Sequence, residues 1–156
     1  MASKTRGRIR PQKPSRGLAD QVYLNVLHTA DALLRGVEEL LKPHGLTPSQ
    51  YNVLRILRGA GPAGLACREI GARMLTRDPD MTRLLDRLET RGLVVRARDT
   101  KDRRVVLTRI AAAGLKLLKD LDAPVAGLHR NQLQHMGAAD LRRLAALLEQ
   151  ARETGG

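Results

Sequence analysis

The residues able to do chemistry in this chain are concentrated at positions 78–109, and they are mostly arginines rather than nucleophiles or carboxylate pairs. Between positions 73 and 109 there are eleven basic and six acidic residues, a local surplus of five in a chain of formal net charge +12. A guanidinium can donate two parallel hydrogen bonds to a guanine edge or hold a phosphate, so clustered arginine points to a polyanion, most often nucleic acid. Asp80, Thr82, Arg83, Asp86, Arg87 and Arg91 share one polar helix face. Lys101, Asp102, Arg103 and Arg104 lie in a polar tip between two apolar, β-branched runs at 93–95 and 105–108, with Arg98 beside it. Arg83 is placed to bond a guanine or a phosphate, and Asp86 to pair with an arginine of its own domain.

The elements that must position these groups can be read from periodicity. Asp78 is a candidate N-cap and Pro79 suits the first helical position. Met81, Leu84, Leu85 and Leu88 then form one apolar stripe, and Gly92 supplies the left-handed stop. A helix followed at once by a basic hairpin is the plan of a winged helix-turn-helix, whose helix enters the major groove while the hairpin reaches the minor groove or the backbone.

Upstream, residues 18–42 form a long helix. Its stripes, Tyr23, Leu27, Ala30, Leu34, Val37, Leu41 and Val26, Leu33, Leu40, are wider than one neighbour covers. Thr47-Pro48 with Gln50 is a capping-box start for a helix reaching Arg58. A short helix over 67–75 follows, with Ile70, Met74 and Leu75 as its apolar contacts. After the hairpin a helix over 112–121 breaks or kinks at Asp122-Ala123-Pro124 and resumes over 125–136. Gly137-Ala138-Ala139-Asp140 opens a last helix carrying Leu141, Leu144, Leu147 and Leu148.

The spaced pattern TRLLDRLE from Thr82, then Arg91-Gly92-Leu93-Val94, Asp99, Asp102-Arg103-Arg104 and Leu107-Thr108 resembles the signature of the MarR (multiple antibiotic resistance regulator) family. The resemblance extends over residues 18 to 153. It implies a dimeric, mostly helical transcription regulator of the kind often released from DNA by small molecules or oxidants. It further implies that Arg104 reaches a minor groove and that Asp102 orients it. A narrow minor groove concentrates negative potential, which favours a guanidinium there.

The expected fold class is therefore mostly α (α+β), a winged helix-turn-helix with N- and C-terminal helices forming a dimerisation module. Residues 1–17 are expected to be a disordered basic arm, either a solvated tail or an arm tracking DNA phosphates. Residues 18–156 make one domain, with a winged-helix lobe at 46–111 and dimerisation helices at 18–45 and 112–153. The residues expected at DNA are Thr47, Ser49, Thr76, Arg77, Asp80, Thr82, Arg83, Arg87, Arg98, Lys101, Asp102, Arg103 and Arg104. The expected partners are double-stranded DNA, a second copy of the chain and a small-molecule effector. A constitutive or architectural DNA-binding protein with no effector is the alternative.

Composition narrows the remaining classes. Among 156 residues there is no Phe or Trp and only two Tyr, so burial must come from aliphatic side chains in closely packed helices. The single cysteine, Cys67, fits a reducing cytosol and is read as a packed or partly exposed thiol without a signalling role. His28, His44, His129 and His135 show no metal-ligand spacing, and no nucleophile elbow, P-loop or zincin motif occurs. No catalytic residue, cofactor or metal is expected. With no signal peptide or membrane span, the expected location is the cytoplasm, at the nucleoid.

Overall fold

The computed structural model describes residues 17–153, so the expected basic arm lies, except for Gly17, outside the described residues. Contacts divide the chain into one unit reaching to Leu33 and another from Leu34 onward. Helix α1, Leu18–Leu41, supplies the first unit with its residues up to Leu33. Along that stretch Leu18, Val22, Tyr23, Leu24, Val26 and Leu27 are all exposed.

The second unit is a three-stranded antiparallel sheet packed with helices. Leu41 at the end of α1 is fully buried, and Val37 and Leu40 pack against the same core. Helix α2, Pro48–Ala60, begins as its sequence predicts. Thr47 Oγ1 accepts the Gln50 N–H at 3.2 Å, and Gln50 Oε1 accepts the Thr47 N–H at 3.0 Å, which satisfies donors that a helix start otherwise leaves open. Strand β1, Leu65–Ala66, leads into α3, Cys67–Arg73, whose Glu69 accepts the Ala66 N–H at 2.8 Å. Helix α4 spans Met81–Thr90, and β2 (Val94–Arg98) and β3 (Val106–Ile110) form the hairpin. Helices α5, Ala112–Leu133, and α6, Ala138–Glu153, complete the described chain. Strand order is β1-β3-β2, with Leu65 opposite Thr108 and Arg96 opposite Thr108 from the other side.

The fold class is as expected, but several boundaries move for identifiable reasons. Asp80, not Asp78, caps α4: its carboxylate accepts the Arg83 N–H at 3.1 Å, while Asp78 is used to accept the Asp80 N–H at 2.9 Å. Pro79 disfavours a helical conformation at Asp78 and fixes that turn. Helix α3 stops at Arg73, and Leu75, expected as a core contact, is 87% exposed. Strand β2 ends three residues, and β3 two residues, beyond the β-branched runs, because main-chain pairing continues through Arg98 and Ile110. Helix α5 is continuous through Pro124 rather than broken there. Leu118, Leu121 and Val125 on either side of the proline are buried in one core, and that burial outweighs one lost backbone hydrogen bond. Strand β1 was not anticipated, since two residues carry no readable alternation.

Two contacts fix α5 against the sheet and against α2. Gly114 on its buried stripe sits where a Cβ would collide with the Leu93 carbonyl oxygen and with Ile110 Cγ1. That carbonyl already accepts the Ala111 N–H at 2.9 Å, so it cannot swing away. Asp122 of α5 receives a two-pronged bond from Arg58 of α2, at 2.9 and 3.0 Å. This guanidinium holds the Asp122 carboxyl below its ordinary value of 3.8.

Gly114→Ala should therefore destabilise the chain by about 1–3 kcal/mol through overpacking, measured by urea denaturation. Asp122→Asn should melt below the unmodified chain at neutral pH. Because the folded-state pKa is depressed, the bridge stabilises above the ordinary aspartate value and fades as pH falls through and below it. The two melting curves should converge in that acidic window, which thermal denaturation between pH 7 and pH 2.5 will follow.

Candidate nucleic-acid interface

Helix α4 is amphipathic to its ends. Leu84, Leu85 and Leu88 are buried, while Thr82, Arg83, Asp86 and Arg87 face outward. Its C-terminus closes on Gly92 at φ +70°, with Gly92 N–H bonding the Glu89 carbonyl at 2.8 Å and Leu93 N–H the Leu88 carbonyl at 3.0 Å. This pair of bonds is the left-handed stop that glycine adopts at least cost.

Two arginines then set where α4 points. Arg91 donates to the carbonyls of Gly45 and His44 at 2.7 and 2.9 Å, tying the end of α4 to the segment before α2. Arg96, in the middle of β2, bonds both acids of α4. Its Nη2 reaches Asp86 Oδ1 at 2.5 Å and Glu89 Oε2 at 2.6 Å, and its Nε reaches Glu89 Oε2 at 2.9 Å. The Arg96 backbone N–H adds a bond to Glu89 Oε1 at 3.2 Å. The Arg96 bonds hold the Glu89 carboxyl below its usual range, and the two acids hold the Arg96 guanidinium firmly charged. Asp86 does pair with an arginine of its own domain.

Arg91 and Arg96 were missed as positioning groups. A signal existed for Arg96: it lies two residues from buried Val94, on the same face of β2, where a charge needs a partner.

Several of the expected contact residues meet around one cleft of about 270 Å³, lined by Thr47, Ser49, Gln50, Asp78, Asp80, Arg83, Leu84 and Arg87. It brings the first turn of α2 against the first turns of α4. Thr47 is engaged there as the α2 cap, and Asp80 as the α4 cap with a loose 3.4 Å pairing to Arg83. Arg83 is nevertheless 70% exposed. Thr76 and Arg77 lie exposed in the connection just before α4.

The hairpin tip is built from its own hydrogen bonds. Asp99 N–H bonds the Val105 carbonyl at 2.8 Å, Val105 N–H the Asp102 carbonyl at 3.0 Å, and Arg98 Nη1 the Arg103 carbonyl at 2.7 Å. Asp102 accepts from Arg104 N–H and Nε at 3.1 Å each and from Nη2 at 3.3 Å. The bonds from Arg104 lower the Asp102 carboxyl below its ordinary range, and the Arg104 side chain is 91% exposed. Asp102 thus aims Arg104 outward without burying it. Arg87 and Lys101 form no ion pair with another described residue. Cys67 is half-buried at the start of α3. Among the described residues no helix is long and apolar enough to cross a membrane.

Known proteins share this fold. The MarR family model matches residues 44–105, from the approach to α2 through the hairpin tip. The crystal structure of a MarR transcription factor from Planctomyces limnophilus is 43% identical, with a TM-score of 0.67 over 86% of this chain and 97% of that one. CouR from Rhodococcus jostii RHA1, bound to p-coumaroyl-CoA, is 31% identical with a TM-score of 0.69, covering 90% of this chain and 92% of that one. The HTH-type transcriptional repressor MdtR of Bacillus subtilis (strain 168) is 35% identical over 92 residues, 56% of this chain and 58% of the repressor. The chain spans about half the length of the curated relatives it matches. Matched in sequence and fold over nearly the whole of a 43% identical relative, this chain belongs to the MarR family.

Proposed function

We propose that this chain is a sequence-specific DNA-binding transcription regulator, acting as a repressor on a pseudo-palindromic operator in the cytoplasm. The observation that carries the proposal is the joining of α4 to the hairpin through Arg96, which makes one rigid body of two outward-facing cationic elements. Arg83 and Arg87 project from α4, and Arg104 from the hairpin tip. A rigid pair of this kind suits a helix in the major groove and a guanidinium in the adjacent minor groove. The residues in contact with DNA would be Arg83, Arg87, Thr82, Thr76 and Arg77 from the helix side, and Lys101, Arg103 and Arg104 from the wing. Thr47 and Ser49 would meet a phosphate at the start of α2. The naming of relatives as transcription regulators supports this class over an enzyme.

A homodimer is part of the proposal. The exposed leucines and valines of α1, and α6 with Leu147 and Leu148 exposed and no buried residue, are apolar surface that a second copy would cover. Two copies would place their α4 helices on half-sites about one helical turn, roughly 34 Å, apart. Ligand occupancy in CouR supports release by a small-molecule effector. Such a molecule would bind better to a state in which the two helices no longer match the groove spacing.

The test begins with selection of a binding site from a random duplex library, followed by titrations at several salt concentrations. Arg83→Ala should cost about 1–3 kcal/mol and relax preference at one position per half-site. Arg104→Ala should weaken binding mainly where A/T-rich flanks narrow the minor groove. Lys101→Ala should weaken all duplexes alike and lower the salt slope by roughly one unit. Equal binding of selected and random duplex by the unmodified chain would refute sequence-specific regulation.

The Arg96 bonds generate a separate expectation. Arg96→Ala should lose discrimination between the selected site and random duplex while keeping the salt slope on random duplex, because Arg96 faces acids rather than phosphates. Arg96→Lys, which keeps the charge but not the fork, should recover only part of the discrimination.

A further inference from the structure

Leu75 has the greatest exposure of any large apolar side chain among the described residues, at 87%. Lone exposed leucines are ordinary on protein surfaces, so exposure alone means little. Its setting is unusual. Leu75 stands in the connection from α3 to α4, which is longer than the three- or four-residue turn of a simple helix-turn-helix. The connection is nevertheless tied down along its length. Leu75 N–H donates to Asn52 Oδ1 of α2 at 2.9 Å, and Met74 beside it packs against the core. Asp80 N–H bonds Asp78, and both aspartates line the cleft with Thr47 and Ser49. The backbone of Leu75 is thus fixed to the same helix that borders the cleft, and its side chain is left in solvent.

The other exposed leucines offer no parallel. They all lie within long helices, Leu115 on α5 and the rest on α1 and α6 beside further exposed apolar residues. Leu75 is followed by exposed Thr76 and Arg77 and preceded, one residue before Met74, by exposed Arg73. This is a cationic surroundings suited to the phosphate backbone, with one branched apolar group in the middle of it. The one apolar handle that a base presents in the major groove is the C5-methyl of thymine, which separates T from C at that position.

We propose that Leu75 is a specificity-determining residue that packs on a thymine methyl group in each half-site, held at the right depth by Asn52. The inference rests on the DNA-binding reading above. Its experiment uses the full chain and distinguishes the two. Sites are selected from a random duplex library by the unmodified protein, and each selected thymine is then replaced singly by uracil, which removes only the methyl. One thymine per half-site should show about a fourfold loss, the worth of one buried methyl-sized group. Leu75→Ala should bind the thymine and uracil duplexes equally at that position, and Leu75→Met should retain part of the difference. Equal sensitivity to uracil in the unmodified chain and Leu75→Ala, or sensitivity at no thymine, overturns the assignment of Leu75 while leaving the regulator intact. Failure of the unmodified chain to select any sequence overturns both.

Discussion

A ten-residue helix cannot hold its own direction, and α4 depends on Arg96 for it. Its buried leucines fix how deeply it sits, but apolar contact is non-directional and allows a short helix to roll or tilt. Charge-assisted hydrogen bonds are directional. The fork of Arg96 reaches two acids one turn apart on α4 from a strand that is itself locked by pairing to β3. Arg91 holds the C-terminal end of the same helix through two backbone carbonyls. The face that α4 presents is consequently set by bonds at its side and at its C-terminal end, made by residues outside its first turns.

This arrangement sorts the arginines into two kinds of work. Arg58, Arg91, Arg96 and Arg98 donate into the protein, and Arg83, Arg87, Arg103 and Arg104 point their charge outward or leave it free. Acids follow the same division. Asp86 and Glu89 share Arg96, whose single positive charge offsets one of the two carboxylate charges on α4. Asp102 differs, because its partner Arg104 remains almost wholly exposed while its orientation is set. Local surplus charge alone would not distinguish these cases, since long-range attraction depends on net charge whereas recognition depends on which guanidiniums are unspent.

The aliphatic composition has its own consequence. With no Phe or Trp available, the core is built mainly from Leu and Val on α2, α4 and α5, with Ile70 of α3 and a single aromatic, Tyr51, and close helix approach replaces bulky side chains. Gly114 against the Leu93 carbonyl is where that closeness is greatest at the sheet. The same leucine-rich repertoire leaves α6 without a buried residue and much of α1 exposed. Helices of that length gain little stability from propensity alone, so surface of this kind is conditional on being covered.

What was legible in the sequence was local. The α2 start needs only Thr47, Pro48 and Gln50 to meet across three residues, the α4 stripe needs only a period, and the Gly92 stop needs only one residue free of a Cβ. Each is decided by hydrogen bonds or steric limits within a turn or two of the chain, and the fold class followed from their order. Tertiary structure decided the rest. Whether Pro124 broke α5 depended on burial of Leu121 and Val125 around it. Spacing alone places Leu75 on a buried stripe, yet α3 ends at Arg73 and Asn52 of another helix takes its N–H. The partners of Arg91 and Arg96 were hidden for the same reason. Many acids and carbonyls could receive a guanidinium, and only the folded positions of β2, α4 and the segment before α2 leave one choice within hydrogen-bonding reach.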